Sequence, residues 1–483
     1  MCRLCGSGAP KPNCPVSKDF TKLITKPTAM PADSGQPGRR ILIKGGVILS
    51  MDDKVGNFAS GDVLIEGNKI VEVGPSIDAA DAGVIDAKGK VVMPGFIDTH
   101  HHLFETALRS FLPDAILVND ERPESQFNYY EMMLQKFSLL YRPEDVYVSE
   151  IYGSLAQLDA GVTTVMDVSQ IHHSPEHSDA AIEGLRDAGR RSVFGYFEGW
   201  GEGAKYPHDA ARIKSQYFSS DDQMMTMVMG GEIYLPGHEE AWKIGRELDL
   251  PIALHVVGTF GMQPTFDELG AAGQFGPDNI FIHMTGMSDD GWKYVADAGA
   301  HVSLSVPIEM QMRHGTPPIQ KAMDHGLQPS LSSDVECTMT SDFFTQMRAA
   351  MTLQRMVANE AALGGQDYPK LLSTVDAIRF ATIEGARGLK LDHKTGSLTP
   401  GKEADIILLD ADALNVAPLN HAAGAVVTLM ERSNVDSVMV AGEIRKWQGR
   451  LVGYHLDRLR PEVESTRDYL FKAAQPDQDI FRS

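Results

Sequence analysis

The feature that most constrains this chain is an alternation of short apolar segments and helix-length amphipathic segments across about residues 93–395. The candidate strands, eight in all, are VVMPGFIDTH, GVTTVMDVS, RRSVFGYFEG, MVMGGEIYL, PIALHVVG, NIFIHMTG, HVSLSVP and QPSLSSDVE. Amphipathic stretches such as SDAAIEGLRDAG and GHEEAWKIGRELD lie between them. Eight strands that alternate with helices over this length are typical of a parallel (β/α)8 barrel. We therefore predict an α/β protein whose middle, residues 93–395, is a TIM barrel.

Two β-rich pieces flank the predicted barrel. Residues 40–92 contain ILIKGGVILSMD and GDVLIEGNKIVEVG, and residues 396–453 contain ADIILLDAD and VDSVMVAGEIRKWQGRLVG. Their short alternating strands are separated by Gly and Asn turns, so we predict one small β-sandwich built from both chain ends. Residues 1–39 are predicted to be an irregular arm because they are rich in Pro, Gly, Ser and Lys. Residues 454–483 have helical spacing and are predicted to be a terminal helix and tail.

Composition limits the partners and the compartment. There are 44 Lys+Arg residues against 65 Asp+Glu residues, a formal net charge of −21. An acidic surface repels polyanions, so we expect no nucleic-acid partner. We also expect no membrane segment, because no run approaches the ~18 apolar residues that a span needs.

The number of cysteines indicates the compartment. Four cysteines in 483 residues are too few for a disulfide framework, which favours a reducing, cytoplasmic location. Cys2, Cys5 and Cys14 resemble a metal clip. They lack a nearby fourth ligand, so we interpret them as part of a Pro/Gly/Lys-rich tail without a functional role.

Several predicted strands end in His or Asp, and the C-terminal strand ends of such a barrel carry its chemistry. His100 and His102 end the first strand, and residues two apart on a strand point the same way, so they form a natural chelating pair. His101 between them should point away and is expected to be structural. The fifth, sixth and eighth strands offer His255, His283 and Asp334.

Imidazoles together with one carboxylate suit Zn²⁺ or Fe²⁺. An open coordination position would hold a water molecule whose pKa is lowered to about 7. Asp334 can take the proton of that water and can also be a ligand. His283 is interpreted as the residue that polarises or orients the attacked group.

These residues carry a family resemblance. MPGFIDTHHH, the histidines of the fifth and sixth strands, the SSD of the eighth strand and the tail FATIEGARGLKLDHKTGSLTPGKEADIILLD resemble the amidohydrolase superfamily, from about Ile41 to Gly453. The fourth-strand segment MVMGGEIYL has no lysine for a metal bridge, so the resemblance is to the mononuclear branch, which includes guanine and cytosine deaminases and triazine hydrolases. It implies one divalent metal ion per subunit and a homo-oligomer. The implied ligands are His100, His102, His255 and Asp334, and the implied catalytic residue that is not a ligand is His283.

One position departs from the family pattern. Aminohydrolases of this branch usually carry a glutamate three residues after the fifth-strand histidine, where it passes a proton to the ring nitrogen, but here that residue is Gly258. Glu309, just past the seventh strand, and Glu336, two residues after Asp334, are the candidate replacements.

Loop residues are candidates for contacts with the substrate. His172 and His173 follow the second strand, and His314 follows the seventh. Alternatively, Ser174-Pro175-Glu176 begins a helix that leaves the nearby histidines on the solvent rim, which is our interpretation of His177. Residues 105–145 form a long apolar excursion that could be a substrate lid, a dimer contact or both.

The sequence thus predicts a metal-dependent hydrolase that cleaves a C–N bond of a small heterocyclic or aromatic molecule. One alternative is hydrolytic displacement of another ring substituent such as halide, and a second is a metal-dependent decarboxylase or lyase. A non-catalytic scaffold is disfavoured, because no structural role needs ligands at four separate points of a barrel mouth.

Overall fold

The computed structural model describes residues 30–220 and 222–476. Most of the predicted arm, with Cys2, Cys5 and Cys14, lies outside these residues. In the described part of the chain, every helix is too short or too polar to cross a membrane.

The described residues contain two sheets, whose strands follow in chain order. The strands are β1 Arg40–Ile48, β2 Phe58–Glu66, β3 Lys69–Gly74, β4 Gly83–Asp86, β5 Lys90–Pro94, β6 Phe96–His101, β7 Val162–Ser169, β8 Arg191–Tyr196, β9 Met225–Gly230, β10 Ile252–Val257, β11 Asn279–Thr285, β12 His301–Leu304, β13 Ser330–Leu331, β14 Ile406–Asp410, β15 Val435–Val440, β16 Glu443–Trp447 and β17 Arg450–Leu451.

From β6 to β15, at least one α-helix lies between each pair of consecutive strands, and a last helix follows β17. The α-helices are α1 Pro143–Asp159, α2 Pro175–Asp187, α3 Ala210–Tyr217, α4 His238–Glu247, α5 Gln263–Ala271, α6 Asp289–Ala298, α7 Val306–Gln311, α8 Ile319–Asp324, α9 Phe343–Leu363, α10 Thr374–Phe380, α11 Ile383–Gly388, α12 Ala422–Thr428 and α13 Leu456–Ala474.

Strands β6 to β13 form the predicted barrel. They pair in chain order, and each pair is parallel. The first and last strands meet through backbone hydrogen bonds, since the His102 N–H donates to the Asp334 carbonyl at 2.9 Å and the Asp334 N–H donates to the His100 carbonyl at 3.0 Å. The prediction of a (β/α)8 barrel is confirmed, and the bonds that close it hold candidate site residues side by side.

The boundary of the first barrel strand differs from the sequence reading. The segment VVMPGFIDTH is one predicted strand, but the structure divides it at Gly95 into β5, which joins the other sheet, and β6. A Cβ at Gly95 would overlap the Thr163 side chain, so the chain can turn here only with a glycine.

The other sheet is built from both chain ends, as predicted. It has nine strands, β1 to β5 and β14 to β17, and most of its pairs are antiparallel. Its two ends share one apolar core, in which Ile43 and Val63 from the first part pack with Ile406, Met439 and Trp447 from the second.

The excursion after β6 consists of short helical turns that pack on the barrel and on the last helix. The Phe111 ring lies 5.1 Å from the ring of Phe137 and 5.3 Å from that of Phe471, which is on α13. Helix α13 is further tied to α1 by the Thr466 hydroxyl, which donates to Asp145 at 2.9 Å. The excursion is thereby held over the mouth of the barrel.

Candidate metal centre

Five predicted site residues converge at the C-terminal end of the barrel strands. His100 and His102 lie at the end of β6, His255 is in β10, His283 is in β11, and Asp334 follows β13. All except the partly buried His255 are buried. The parallel strands bring them together because every strand of such a barrel ends on the same face.

The donor atoms of four of these residues are close enough to share one ion. The Nε2 atom of His100 lies 3.0 Å from Nε2 of His102 and 3.1 Å from Nε2 of His255. Asp334 Oδ1 lies 3.5 Å from Nε2 of His102 and 3.8 Å from Nε2 of His100. Ligands about 2.0–2.1 Å from a tetrahedral zinc ion are themselves about 3.3–3.4 Å apart. The observed separations are close to that spacing.

The protonation of His100, His102 and Asp334 also fits a cation. Burial lowers the pKa of His100 and of His102 well below the ordinary value, so both rings are neutral and have a lone pair to offer. Burial raises the pKa of Asp334 to about 7, and its Oδ2 atom is buried without a hydrogen-bond partner among the described residues. The two neutral imidazoles of His100 and His102 beside an unsatisfied carboxylate suit a divalent metal such as zinc or iron.

Glu232 orients one of the imidazoles and was not singled out from the sequence. Its Oε1 atom lies 2.5 Å from Nδ1 of His255, and its carboxylate also accepts the backbone N–H of His255 at 3.1 Å. Burial alone would lower the pKa of His255, but the charge and hydrogen bond of Glu232, together with the charges of Asp334 and Glu198, outweigh burial and raise it. The contact turns Nε2 toward the centre, as carboxylates behind metal-binding histidines do. The signal was a carboxylate directly after the fourth barrel strand.

Glu309 has the corresponding position behind His283. Its Oε1 atom lies 3.1 Å from Nδ1 of His283 and accepts the Ser305 backbone N–H at 2.7 Å. The other ring nitrogen, Nε2, lies 3.6 Å from Asp334 Oδ2. His283 and Asp334 have φ angles of +73° and +64°, in the left-handed region that side chains other than glycine rarely adopt. The backbone is thus strained at the two residues that face each other here.

A cavity of about 460 Å³, counting the space at its mouth, opens over these groups. It is lined by His102, Leu117, Tyr129, Tyr130, Leu134, Gln170, Tyr234, His255, Val257, Phe260, His283, Met312, His314, Asp334 and Val335. Four of these residues, Leu117, Tyr129, Tyr130 and Leu134, come from the excursion. That segment therefore covers the cavity, as one of its two predicted roles requires.

The loop histidines differ in position. His314 lines the cavity with its ring centroid 4.6 Å from that of His283, and its ring nitrogens have no hydrogen-bond partner among the described residues. His172 and His173 are not among the lining residues. His172 is held by the Gly195 carbonyl at 3.2 Å and the Ser178 hydroxyl at 3.0 Å.

His173 is likewise held by protein partners, the Ser138 carbonyl at 2.9 Å and the Trp200 N–H at 3.0 Å. The structure therefore brings only His314, of the three predicted substrate contacts, to the cavity. His101 points away from the centre, as predicted, with Nδ1 2.9 Å from the Ser333 hydroxyl.

Neither candidate replacement for the missing glutamate lines the cavity. Glu309 lies behind His283, and Glu336 forms an ion pair with Arg109 at 2.5 Å. At Gly258 itself, a Cβ would lie 3.0 Å from both the Gly286 Cα and the Thr285 carbonyl oxygen, tighter than nine in ten real contacts. The backbone beside Gly258 thus leaves little room for a side chain.

The comparisons with known proteins agree with this geometry. Residues 91–445 match the family model described as the amidohydrolase family. The 5'-deoxyadenosine deaminase of Methanosarcina mazei is 26% identical over an alignment of 449 residues, and the match covers 89% of this chain and 98% of that protein. The 5-methylthioadenosine/S-adenosylhomocysteine deaminase of Symbiobacterium thermophilum is 25% identical over an alignment of 403 residues, and the match covers 79% of this chain and 87% of that protein.

Solved structures share the fold. An adenosine deaminase from Xanthomonas campestris with bound zinc has a TM-score of 0.77 at 21% identity and covers 90% of this chain and 99% of its own. An atrazine chlorohydrolase from Arthrobacter aurescens complexed with zinc has a TM-score of 0.75 at 20% identity and covers 88% of this chain and 100% of its own.

Proposed function

Because the chain belongs to the amidohydrolase family, we propose that it is a metal-dependent hydrolase that removes an amino group, or opens another C–N bond, on a small heteroaromatic molecule. The observation that carries the proposal is the convergence of His100, His102 and His255, with Asp334 Oδ1 3.5 Å from His102 Nε2, below a cavity walled by aromatic side chains. A scaffold without chemistry has no need of four converging donors beside an open cavity.

Three imidazoles and one carboxylate would hold the metal, and we propose zinc. Bound there, a zinc ion supplies a water molecule whose pKa is lowered to about 7. Asp334 Oδ2 has no hydrogen-bond partner among the described residues and can accept a proton of that water. His283 Nε2 lies 3.6 Å from that oxygen. It stabilises the charge that develops on the attacked ring. Glu309 positions the His283 ring by holding Nδ1.

The walls of the cavity suit a flat ring. The rings of Tyr234 and Phe260 are stacked with centroids 6.0 Å apart, and Tyr130 meets Phe260 edge-on at 5.6 Å. His314 lines the cavity with ring nitrogens that no described residue hydrogen-bonds, so it can bind a polar substituent. Relatives whose names specify deaminases of adenine nucleosides support an aminated heteroaromatic ring as the substrate class.

A second candidate is displacement of a ring halide. Gly258 stands where a glutamate would protonate the ring nitrogen, and an amine leaves readily only after it gains a proton. Halide leaves as an anion and needs no proton, so Gly258 favours this candidate.

The test is a screen of zinc-loaded protein against aminopurines, aminopyrimidines and aminotriazines, with their chloro analogues and with 5'-deoxyadenosine and 5'-methylthioadenosine. Ammonia release, chloride release and product mass distinguish the two candidates. Chelation of the metal and, separately, His255→Ala should each abolish turnover of any confirmed substrate. Hydrolysis that survives both changes would refute the proposal.

Two further proposals come from the sequence. A homo-oligomer, dimer or higher, is testable by light scattering of the full chain. A cytoplasmic location is testable by fractionation of the source cells.

A further inference from the structure

Two polar side chains of the cavity wall opposite His283, those of Gln170 and Tyr234, and the Glu198 side chain that they contact are not used by the proposed chemistry. Gln170 follows β7, Glu198 follows β8 and Tyr234 follows β9, the second, third and fourth barrel strands. His283 and His314 belong to the sixth and seventh strands and their loops. In a barrel of eight strands these two sectors lie across the mouth from each other. A substrate that reaches the centre therefore touches both.

The three residues form a closed hydrogen-bond network. Gln170 Nε2 donates to Glu198 Oε1 at 2.6 Å and to the Tyr234 hydroxyl oxygen at 3.1 Å. The Tyr234 hydroxyl in turn donates to Glu198 Oε1 at 3.0 Å. Both amide hydrogens of Gln170 are engaged, so its carbonyl Oε1 is the group that it has left to offer. Because Gln170 lines the cavity, this carbonyl is the acceptor that the network offers on the cavity side.

This side of the cavity has the carboxylate of Glu198 behind it but no Lys or Arg among the described lining residues. Glu198 is 5% exposed, and its Oε2 atom is buried with no hydrogen-bond partner among the described residues. Burial and then the nearby Glu232 raise the pKa of Glu198 to about 7, so its charge is incompletely compensated by the protein. A positive group in the cavity would relieve that cost.

We propose that Gln170, Tyr234 and Glu198 form a subsite for a protonated nitrogen or a ring N–H of the substrate, an inference that rests on the proposed function. The Gln170 carbonyl accepts the hydrogen bond, and Glu198 supplies the attractive charge behind it. The stacked Tyr234 and Phe260 rings hold the flat cation over their faces. A substrate that places a phosphate or carboxylate against this wall is rejected, because the wall offers an anion no cation.

Two probes of the same shape isolate the subsite. 4-Aminopyridine is protonated at its ring nitrogen at pH 8, and aniline is its neutral counterpart with the same amino group and ring size. Calorimetric titration of zinc-loaded protein at pH 8 should show 4-aminopyridinium binding at least about tenfold more tightly than aniline. Glu198→Gln should bring that ratio close to one. The control Glu183→Gln removes another buried carboxylate, on α2 and outside the cavity lining, and should keep the wild-type ratio.

Gln170→Met gives a second variant in case Glu198→Gln does not fold, and it should lower the ratio at least threefold. Equal affinities in the wild type, absence of binding by the cation at 10 mM, or an unchanged ratio in a folded Glu198→Gln or Gln170→Met protein would each overturn the proposal. The readout is binding without turnover. Failure here therefore leaves the hydrolysis screen unaffected, and failure of the screen leaves this ratio measurable.

Discussion

Removal of one donor from the candidate centre should reduce the rise in melting temperature that metal binding gives the protein. The Nε2 atom of His102 lies 3.0 Å from that of His100 and 3.5 Å from Asp334 Oδ1, so His102→Ala takes away one of four converging donors. His172→Ala is the matched control, because His172 is also a buried imidazole but both of its ring nitrogens are held by protein groups outside the cavity.

The size of the effect follows from linkage. Zinc at about 1,000 times its Kd stabilises the folded state by about 4.1 kcal/mol. Unfolding entropy of about 2.1 cal/mol/K per residue amounts to about 1 kcal/mol/K for 483 residues, so zinc should raise Tm by about 4 °C. Loss of an outer partner of a ligand weakens metal binding about 10- to 100-fold, so loss of a donor should cost at least the larger factor. The rise in Tm at the same zinc concentration then falls to at most about 1.5 °C.

The assay is a thermal melt of each protein after chelation and again after zinc is restored. Wild type and His172→Ala should both show the rise of about 4 °C, although the control melts at a lower temperature because it loses two buried hydrogen bonds. A full zinc-dependent rise in His102→Ala, or its absence in His172→Ala, would refute the assignment of the donors.

Three other outcomes are expected. Glu309→Gln should lower kcat about 10- to 100-fold with little change in KM, measured on a confirmed substrate, because the His283 imidazole loses the partner that orients it; an unchanged kcat contradicts this. Glu105 is buried against the Tyr129 hydroxyl at 2.6 Å, and burial raises its pKa from 4.5 to about 8. Between pH 4.5 and pH 8 the folded state therefore binds more protons than the unfolded state. The free energy of unfolding of the wild type, measured in urea, should then fall relative to that of Glu105→Gln as the pH rises from 5 to 8. The same pH dependence in both proteins would contradict this. Gly258→Ala should lower the free energy of unfolding, measured in urea, by about 1–3 kcal/mol, because the new Cβ would lie 3.0 Å from backbone atoms. In the control Gly74→Ala the new Cβ would have no described atom within 4 Å, so the free energy of unfolding should change by less than about 0.5 kcal/mol. Equal losses in the two variants would contradict the crowding at Gly258.

Local patterns in the sequence were sufficient for the fold and for the converging donors. Strand and helix periods depend on near neighbours, and a parallel barrel must place the ends of all its strands on one face. His100, His102, His255, His283 and Asp334 each stand at a predicted strand end, so topology alone brings them together. The family resemblance added the amidohydrolase assignment, which the match over residues 91–445 confirms.

Only the tertiary structure shows which side chains hold the donor rings in place and which side chains line the cavity. Glu232 behind His255 and Glu309 behind His283 are distant in sequence from the rings that they hold, so no local pattern pairs them. Which loop histidine faces the cavity depends on the partners of its ring nitrogens, and these come from other loops. The sequence by itself determined where chemistry is possible, because strand ends are set locally; only the folded chain decided which side chains orient the donors and which surround the substrate, because those contacts join segments far apart along the chain.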